Sequence, residues 1–304
     1  MTYKVKAAFL SALVAVLAVI YILILVFDRD YRRSDVFAWL DPNFIVMADR
    51  IEITGDEGKI TLNRRNNIWV FEAGNMELPV RQSRVEDLFT LLSARAAYPL
   101  RATSREAMES LFLTEETAYR ITVRGGAGLP LLDLLVGGGD VLGREVFLRL
   151  AGQNRIHSGE GDFTFFTNMK PAAWYDLGLF QPFSIDLVQQ ADISLPGGDS
   201  YTLRRSGAGW IIAGENALAE PLRVEAWLRA FIEALGDDFV FEAPEIIEGN
   251  ITLRLGDGTT RSLEVGAGEN ESRLVRVSGS SLVYSISEWV YNRIFLERSH
   301  FIRN

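Results

Sequence analysis

Apolar and polar residues alternate through "DRIEITG", Asp49 to Gly55, with Ile51 and Ile53 on one side and Arg50, Glu52 and Thr54 on the other. A period of two marks a half-buried strand. "KITLNRR" and "IWVFEA" continue as strands, with Asn66-Asn67 as the turn between them and Asp41-Pro42 as a turn ahead of the series. After Pro79 the period lengthens. In "RVEDLFTLLSARAAYPL" Val85, Leu88, Leu91 and Leu92 recur at helical spacing, with Ser83 in position to cap. The pattern predicts one amphipathic helix packed on a sheet.

The same series is then written again. "ADISLPG", "YTLRRS" and "WIIAG" precede Pro221, and "RVEAWLRAFIEAL" sets Val224, Trp227, Leu228, Phe231 and Leu235 on one helical face. One offset relates Leu62 to Leu203, Arg64 to Arg205 and Trp69 to Trp210. The likeness runs on: "YRITVRGGAGLPLLDLLVGGG" answers "GNITLRLGDGTTRSLEVGAG", and "VFLRLAGQNRIHS" answers "RLVRVSGSSLVYS", aligning Arg149 with Arg276 and His157 with Tyr284. "WYDLGLF" pairs with "WVYNRIF", Trp174 with Trp289 and Phe180 with Phe295. The repeated positions are packing and turn residues, so what the two copies share is a fold. By this alignment the first copy carries about a dozen extra residues in "GEGDFTFFTNMKPAA". Phe163, Phe165 and Phe166 lie in that insert, either filling a local gap or docking on a partner or the membrane surface.

Ahead of the repeats, "AAFLSALVAVLAVIYILILVF", Ala7 to Phe27, holds no charge, Pro or Gly. As a helix it would span roughly 31 Å, against a hydrocarbon core of about 30 Å. It is longer than a signal-peptide core and is followed by Asp28-Arg29-Asp30 instead of small residues, which predicts an uncleaved transmembrane anchor. Lys4 and Lys6 compete with Arg29, Arg32 and Arg33 for the cytoplasmic side, but Asp28, Asp30 and Asp35 offset those arginines, so the body is expected to be extracytoplasmic. The chain of 304 residues has room for about two domains. Its net charge of −9 argues against nucleic acid as a partner. Zero cysteines exclude disulfides, thiolate metal sites and a cysteine lipid anchor.

Candidate chemistry is sparse. There are two histidines; His157 sits where the second copy has Tyr284, and His300 lies near the C-terminus. "VGGGD", Val136 to Asp140, and "VGAGE", Val265 to Glu269, lack the full dinucleotide fingerprint and read as hairpin turns, as do "GDGTT" and "GEGD". No catalytic, cofactor or metal residues are expected. Arg64, Arg65, Arg204 and Arg205 read as a solvated strand edge.

The chain resembles the bacterial envelope family catalogued as domain of unknown function 4340, on "DRIEI", the tryptophans of "NIWVF" and "AGWII", the Pro, "RVE", and "LLVGGG" and "LEVGAG" followed by "VFLRL" and "LVRVS". The resemblance runs from about Ala48 to Phe295 and departs at the Phe163 to Phe166 insert. Members are similar in context to subunits beside Gld-type ABC transporters linked to gliding motility. The resemblance therefore implies a non-enzymatic accessory subunit whose partners are the membrane, through residues 7–27, the ABC permease and Gld-like subunits.

The expected organisation is α+β: an N-terminal transmembrane helix (1–27), a juxtamembrane linker (28–46), and two tandem homologous strand-rich repeats (47–180 and 181–304), each with a central amphipathic helix. The expected location is the bacterial inner membrane, single-pass. A stand-alone envelope scaffold or adhesion module, and a hydrolase of envelope polymers, are the alternatives.

Overall fold

A computed structural model describes residues 16–21, 34–74, 76–140, 142–207, 209–214, 217–268 and 272–302. The chain divides into two compact units, Met1–Trp174 and Tyr175–Asn304.

The first unit contains β1 (Ser34–Phe37), β2 (Ala48–Gly55), β3 (Gly58–Arg65), β4 (Ile68–Ala73), β5 (Met76–Pro79), β6 (Ala96–Ala102), β7 (Tyr119–Gly125), β8 (Pro130–Gly139), β9 (Glu145–Leu150) and β10 (Ile156–Glu160). They form one sheet in the order β1-β6-β10-β9-β8-β7-β2-β3-β4-β5. The second contains β11 (Val188–Ser194), β12 (Ser200–Ser206), β13 (Gly209–Ile212), β14 (Ala217–Ala219), β15 (Asp238–Val240), β16 (Gly249–Leu255), β17 (Thr260–Ala267), β18 (Arg273–Val277) and β19 (Val283–Ile286). From one edge its order is β15-β19-β18-β17-β16-β11-β12-β13-β14. That is the first order strand for strand, with β1 as the addition.

Register repeats as well as order. Arg64 faces Trp69 and Arg205 faces Trp210 across equivalent antiparallel hairpins. One irregularity interrupts β2–β7 between Ala48 and Arg50, and its twin interrupts β11–β16 between Val188 and Gln190. The β3–β4 turn is Asn66-Asn67, both at positive φ, the two-residue geometry that matches the twist of the flanking strands. Alternation then sorts the faces: Ile51, Ile53, Leu62, Ile121 and Val123 are buried in one sheet, and Ala191, Leu203, Ile251 and Leu253 in the other.

Each unit has one twelve-residue helix, Gln82–Ser93 or Pro221–Ile232. Each helix carries the chain from one end of the sheet order to the other, from β5 to β6 or from β14 to β15. Nine strands laid flat would be about 38 Å across, whereas the first helix of about 18 Å and its four flanking residues reach only about 31 Å. The sheet of the first unit therefore cannot lie flat, and each helix packs one face, burying Val85, Leu88 and Leu92, or Val224, Leu228 and Phe231, completely while Glu86, Asp87 and Thr90, or Glu225, Ala226 and Arg229, stay exposed. Ser83 does not cap: the N-cap position is Arg81, with no side-chain cap bond. Gln82 instead fastens the helix start to the hairpin, its amide accepting from Trp69 N at 2.9 Å and donating to Trp69 O and Val80 O at 2.9 and 2.8 Å.

Each unit closes where its last residues return to the start of that helix. Arg81 N donates to Trp174 O at 2.9 Å, and Glu220 N donates to Phe301 O at 2.8 Å. The arginine of each "RVE" adds a side-chain tie: Arg84 Nη2 donates to Phe165 O at 2.6 Å, and Arg223 Nη1 donates to His300 O at 2.9 Å and Ile302 O at 3.3 Å. The partner of Trp174 in the second copy is thus Phe301, and the pairing with Trp289 is out of step. Both copies follow their last strand with a short helix, Phe163–Phe166 or Glu288–Ile294, and then a 3-10 turn, Pro171–Ala173 or Arg298–Phe301. Gly159 to Ala173 is therefore no insertion; the offset relating His157 to Tyr284 also relates Trp174 to Phe301.

The α+β expectation is corrected by these sheets. Among the described residues, nineteen strands in two large antiparallel sheets make the body mostly β, and each central helix is a single short element with one face packed and the other exposed. The expected transmembrane helix is also uncorroborated: no described helix is long and apolar enough to cross a membrane. Of the run Ala7 to Phe27 only residues 16–21 are described, as helix, and the remainder lies outside the described residues.

Glycines mark a second shared contact. A Cβ on Gly137 would collide with the Leu111 carbonyl, and one on Gly266 with the Ile246 carbonyl, because in each copy a connecting segment crosses that strand. Gly137→Ala and Gly266→Ala should each destabilise the protein by about 1–3 kcal/mol, whereas Gly209→Ala, with open space around it, should stay within about 0.5 kcal/mol; urea melts of the three variants check this. Burial, with Asp238 nearby, pushes the Tyr175 hydroxyl from 10.0 up to about 12, and burial raises Tyr201, whose hydroxyl donates to Leu296 O at 2.6 Å. Above pH 10.0 the unfolded chain ionises these groups while the folded one does not, so stability should fall as pH climbs towards about 12. Tyr175→Phe should make that fall shallower, as read from urea midpoints across the alkaline range.

Candidate functional site

Of the three phenylalanines singled out in the sequence, two are core. Phe163 is 1% exposed and Phe166 4%, whereas Phe165 is 57% exposed. The short helix Phe163–Phe166 turns the first two inward, Phe166 meeting the Trp174 ring at 6.2 Å between centroids. Phe165 lies outside, edge-on to Phe166 at 5.3 Å, with the Arg84 guanidinium 4.0 Å from its ring centroid and 4.6 Å from that of Trp174. Arg84 itself is buried, and its Nε has no hydrogen-bond partner. Burial, then repulsion by Arg81, loosens its proton, while Asp87 partly offsets this. A buried guanidinium stacked between two aromatic rings holds Phe165 in place as a rigid apolar point on the surface of the first unit.

The second unit differs at the equivalent place. Its final helix, Glu288–Ile294, presents Trp289 at 66% exposure, and the Arg293 guanidinium stacks 4.4 Å from the ring centroid. Between this helix and Pro221–Ile232 runs a groove of about 220 Å³, lined by Ala230, Ala234, Leu235, Trp289, Val290 and Ile294, with Glu233 and Arg293 at its sides. Leu235 is 55% exposed. Trp227 Nε1 donates to Ile294 O at 2.7 Å and so fixes the spacing of the two helices. Sequence reading placed Leu235 on the packed face and took Trp289 as the twin of a buried tryptophan. The signal available was the "RVE" arginine, whose carbonyl partners show which segments correspond.

The polar outer faces hold charge networks. Glu52 takes Lys59 at 2.6 Å and Arg50 at 2.9 Å, with Arg124 at 3.9 Å. Burial pushes its carboxyl up, but the Lys59 hydrogen bond and the charges of Lys59, Arg50 and Arg124 outweigh that and hold it below 4.5. Asp192, at the matching register, accepts from Gln190 and Thr202 at 2.8 Å and from Arg254 at 3.1 Å.

The repeated Arg64 and Arg205 are likewise ties, donating to Val46 O and Val188 O at 3.2 Å. His157 is buried, its Nδ1 2.9 Å from Tyr98 O, with Phe37 and Trp39 edge-on at 5.4 and 5.8 Å. Gly137–Gly139 belong to β8, and the following turn is closed by Asp140 accepting from Arg144 N and Glu145 N at 2.6 and 3.0 Å. Asp257 closes the β16–β17 turn by accepting from Thr259 N and Oγ1 at 2.9 and 2.7 Å. Among the described residues no group of three or more His, Asp or Glu is placed to hold a metal ion. What the described geometry offers at Phe165 and Trp289 is contact area.

No curated protein and no solved structure matches the chain. The profile described as Domain of unknown function (DUF4340) matches residues 69–237, from the Trp69 hairpin through the Trp174 closure to just beyond the second central helix. With more than half of its length matched, this chain belongs to the DUF4340 family.

Proposed function

We propose that this chain is a non-enzymatic, membrane-attached, extracytoplasmic subunit that binds partner subunits of a Gld-like ABC-type transporter. The observation that carries the binding role is the Trp289 groove, in which an exposed indole, Leu235 and a stacked arginine surround an apolar furrow on a helix pair fixed from behind. Tryptophan and arginine in such settings supply most of the energy of protein contacts. The apolar run Ala7 to Phe27 supports attachment to the membrane, and the kinship implied by the sequence supports the transporter context.

Co-purification from gently solubilised membranes tests the reading. The chain should bring down permease and ATPase subunits, and Trp289→Ser should reduce their recovery at least about tenfold while leaving the melting transition of the chain unchanged, since the side chain is exposed. Recovery of the chain alone overturns the transporter role, and unchanged recovery with Trp289→Ser overturns the groove as its contact.

A further inference from the structure

The first unit holds a recess of about 570 Å³ at one end of β2, β3 and β7. Arg50, Arg64, Arg65 and Arg124 surround it, and the backbone of Gly125–Gly128 forms part of its wall. In a chain of net charge −9 this gathering of guanidinium groups is a local reversal of sign. The carboxylates present do not exhaust it. Glu52 is shared among Arg50, Lys59 and Arg124, and Arg65 meets Glu77 at 3.2 Å. Asp49 also lines the recess. Arg64 gives one bond to the Val46 carbonyl, has no carboxylate partner among the described ion pairs, and keeps a buried Nε without an acceptor. Each guanidinium carries five donors, and the exposed ones of Arg50, Arg65 and Arg124 outnumber the carboxylate contacts they make here.

The two copies disagree here although their backbones agree. By register, Arg50 is replaced in the second unit by Gln190 and Arg65 by Ser206, Asn63 becomes Arg204, and Arg64 and Arg124 keep their counterparts in Arg205 and Arg254, so four arginines face three. The turn Gly126–Gly128, without a charged side chain, becomes Gly256–Gly258 with Asp257 at its centre. A shared fold with divergent charge at one place points to a ligand held by one copy. The rim adds a second character: the 3-10 helix Pro42–Met47 buries none of its residues and leaves Phe44, Val46 and Met47 exposed at 43%, 75% and 45%. Arg64 holds the Val46 carbonyl and the Met47 carbonyl lies against Gly125, so the backbone of this apolar segment borders the recess.

We infer that the recess framed by Arg50, Arg64, Arg65 and Arg124 binds a phosphate ester, and that its exposed Phe44, Val46 and Met47 rim takes that phosphate from an anionic phospholipid headgroup. Guanidinium groups match phosphate oxygens bidentately, and an apolar rim next to a cationic pocket suits the boundary between headgroups and acyl chains. The inference is independent of the transporter reading.

The test uses the purified full chain in a neutral detergent, titrated with dioctanoyl phosphatidylglycerol, dioctanoyl phosphatidylcholine and inorganic phosphate. Phosphatidylglycerol should bind saturably and at least about tenfold more tightly than phosphatidylcholine, weakening as sodium chloride rises, since exposed charge pairs are screened. The double substitution Arg50→Gln with Arg65→Ser installs residues the second copy already uses, and should weaken binding at least about tenfold with an unchanged melting transition. Arg204→Gln, on the second unit, should leave binding unchanged. If the double variant melts early, Arg124→Gln alone serves, with a smaller loss in the same direction. Tight binding of inorganic phosphate with none of phosphatidylglycerol keeps the anion site and overturns the lipid source. Equal binding of the two lipids, insensitivity to salt, or no effect of the arginine variants overturns the site itself.

Discussion

The main constraint in each unit is that one short helix must join the two ends of a wide antiparallel sheet. A twelve-residue helix has to join the two ends of a sheet order nine strands long, and in the first unit, with only four flanking residues, that reach forces the sheet out of the flat. The closure is completed by backbone hydrogen bonds from Arg81 to Trp174 and from Glu220 to Phe301, each beside an arginine that holds the carbonyls of the returning chain. The Gln82 amide on Trp69, the buried faces of both helices and the connecting segments that cross at Gly137 and Gly266 show how closely strand, helix and connection pack.

Duplication explains which residues are tied to the fold and which are free to vary. Positions held by contacts within each unit recur: Trp69 and Trp210, Arg64 and Arg205, Arg84 and Arg223, Glu52 and Asp192. Other positions have diverged. Phe165 is pinned by a buried arginine, whereas the final helix of the second unit leaves Trp289 open; Arg50 and Arg65 face a recess, whereas Gln190 and Ser206 occupy the same register. Surfaces that differ on equal scaffolds are where separate tasks for the two copies are to be sought.

Several features were legible in the residues. Alternation at Ile51 and Ile53 and at Leu62 marked strands whose partners differ but whose buried face is the same, and period-two order is local enough to read without a partner. The helices showed themselves through Val85, Leu88 and Leu92 and through Val224, Leu228 and Phe231. Capping did not: Ser83 fits the statistical pattern, but Gln82 reaches a hairpin distant in sequence and takes the task. The Trp174 with Trp289 pairing failed for a similar reason, since matching letters near a terminus carried more weight than an unbroken offset, and only the hydrogen bonds to the helix starts identify Phe301 as the counterpart.

The sequence by itself determined the local periods, the repeated module and the kinship with DUF4340, because those depend on neighbours within a few residues or on direct self-comparison. Tertiary structure decided that the body is mostly β, that two of three conspicuous phenylalanines are core, and that four arginines from three strands meet at one recess. Exposure and charge clustering depend on which strands lie side by side, and in a wide antiparallel sheet that order is set by contacts between residues far apart along the chain.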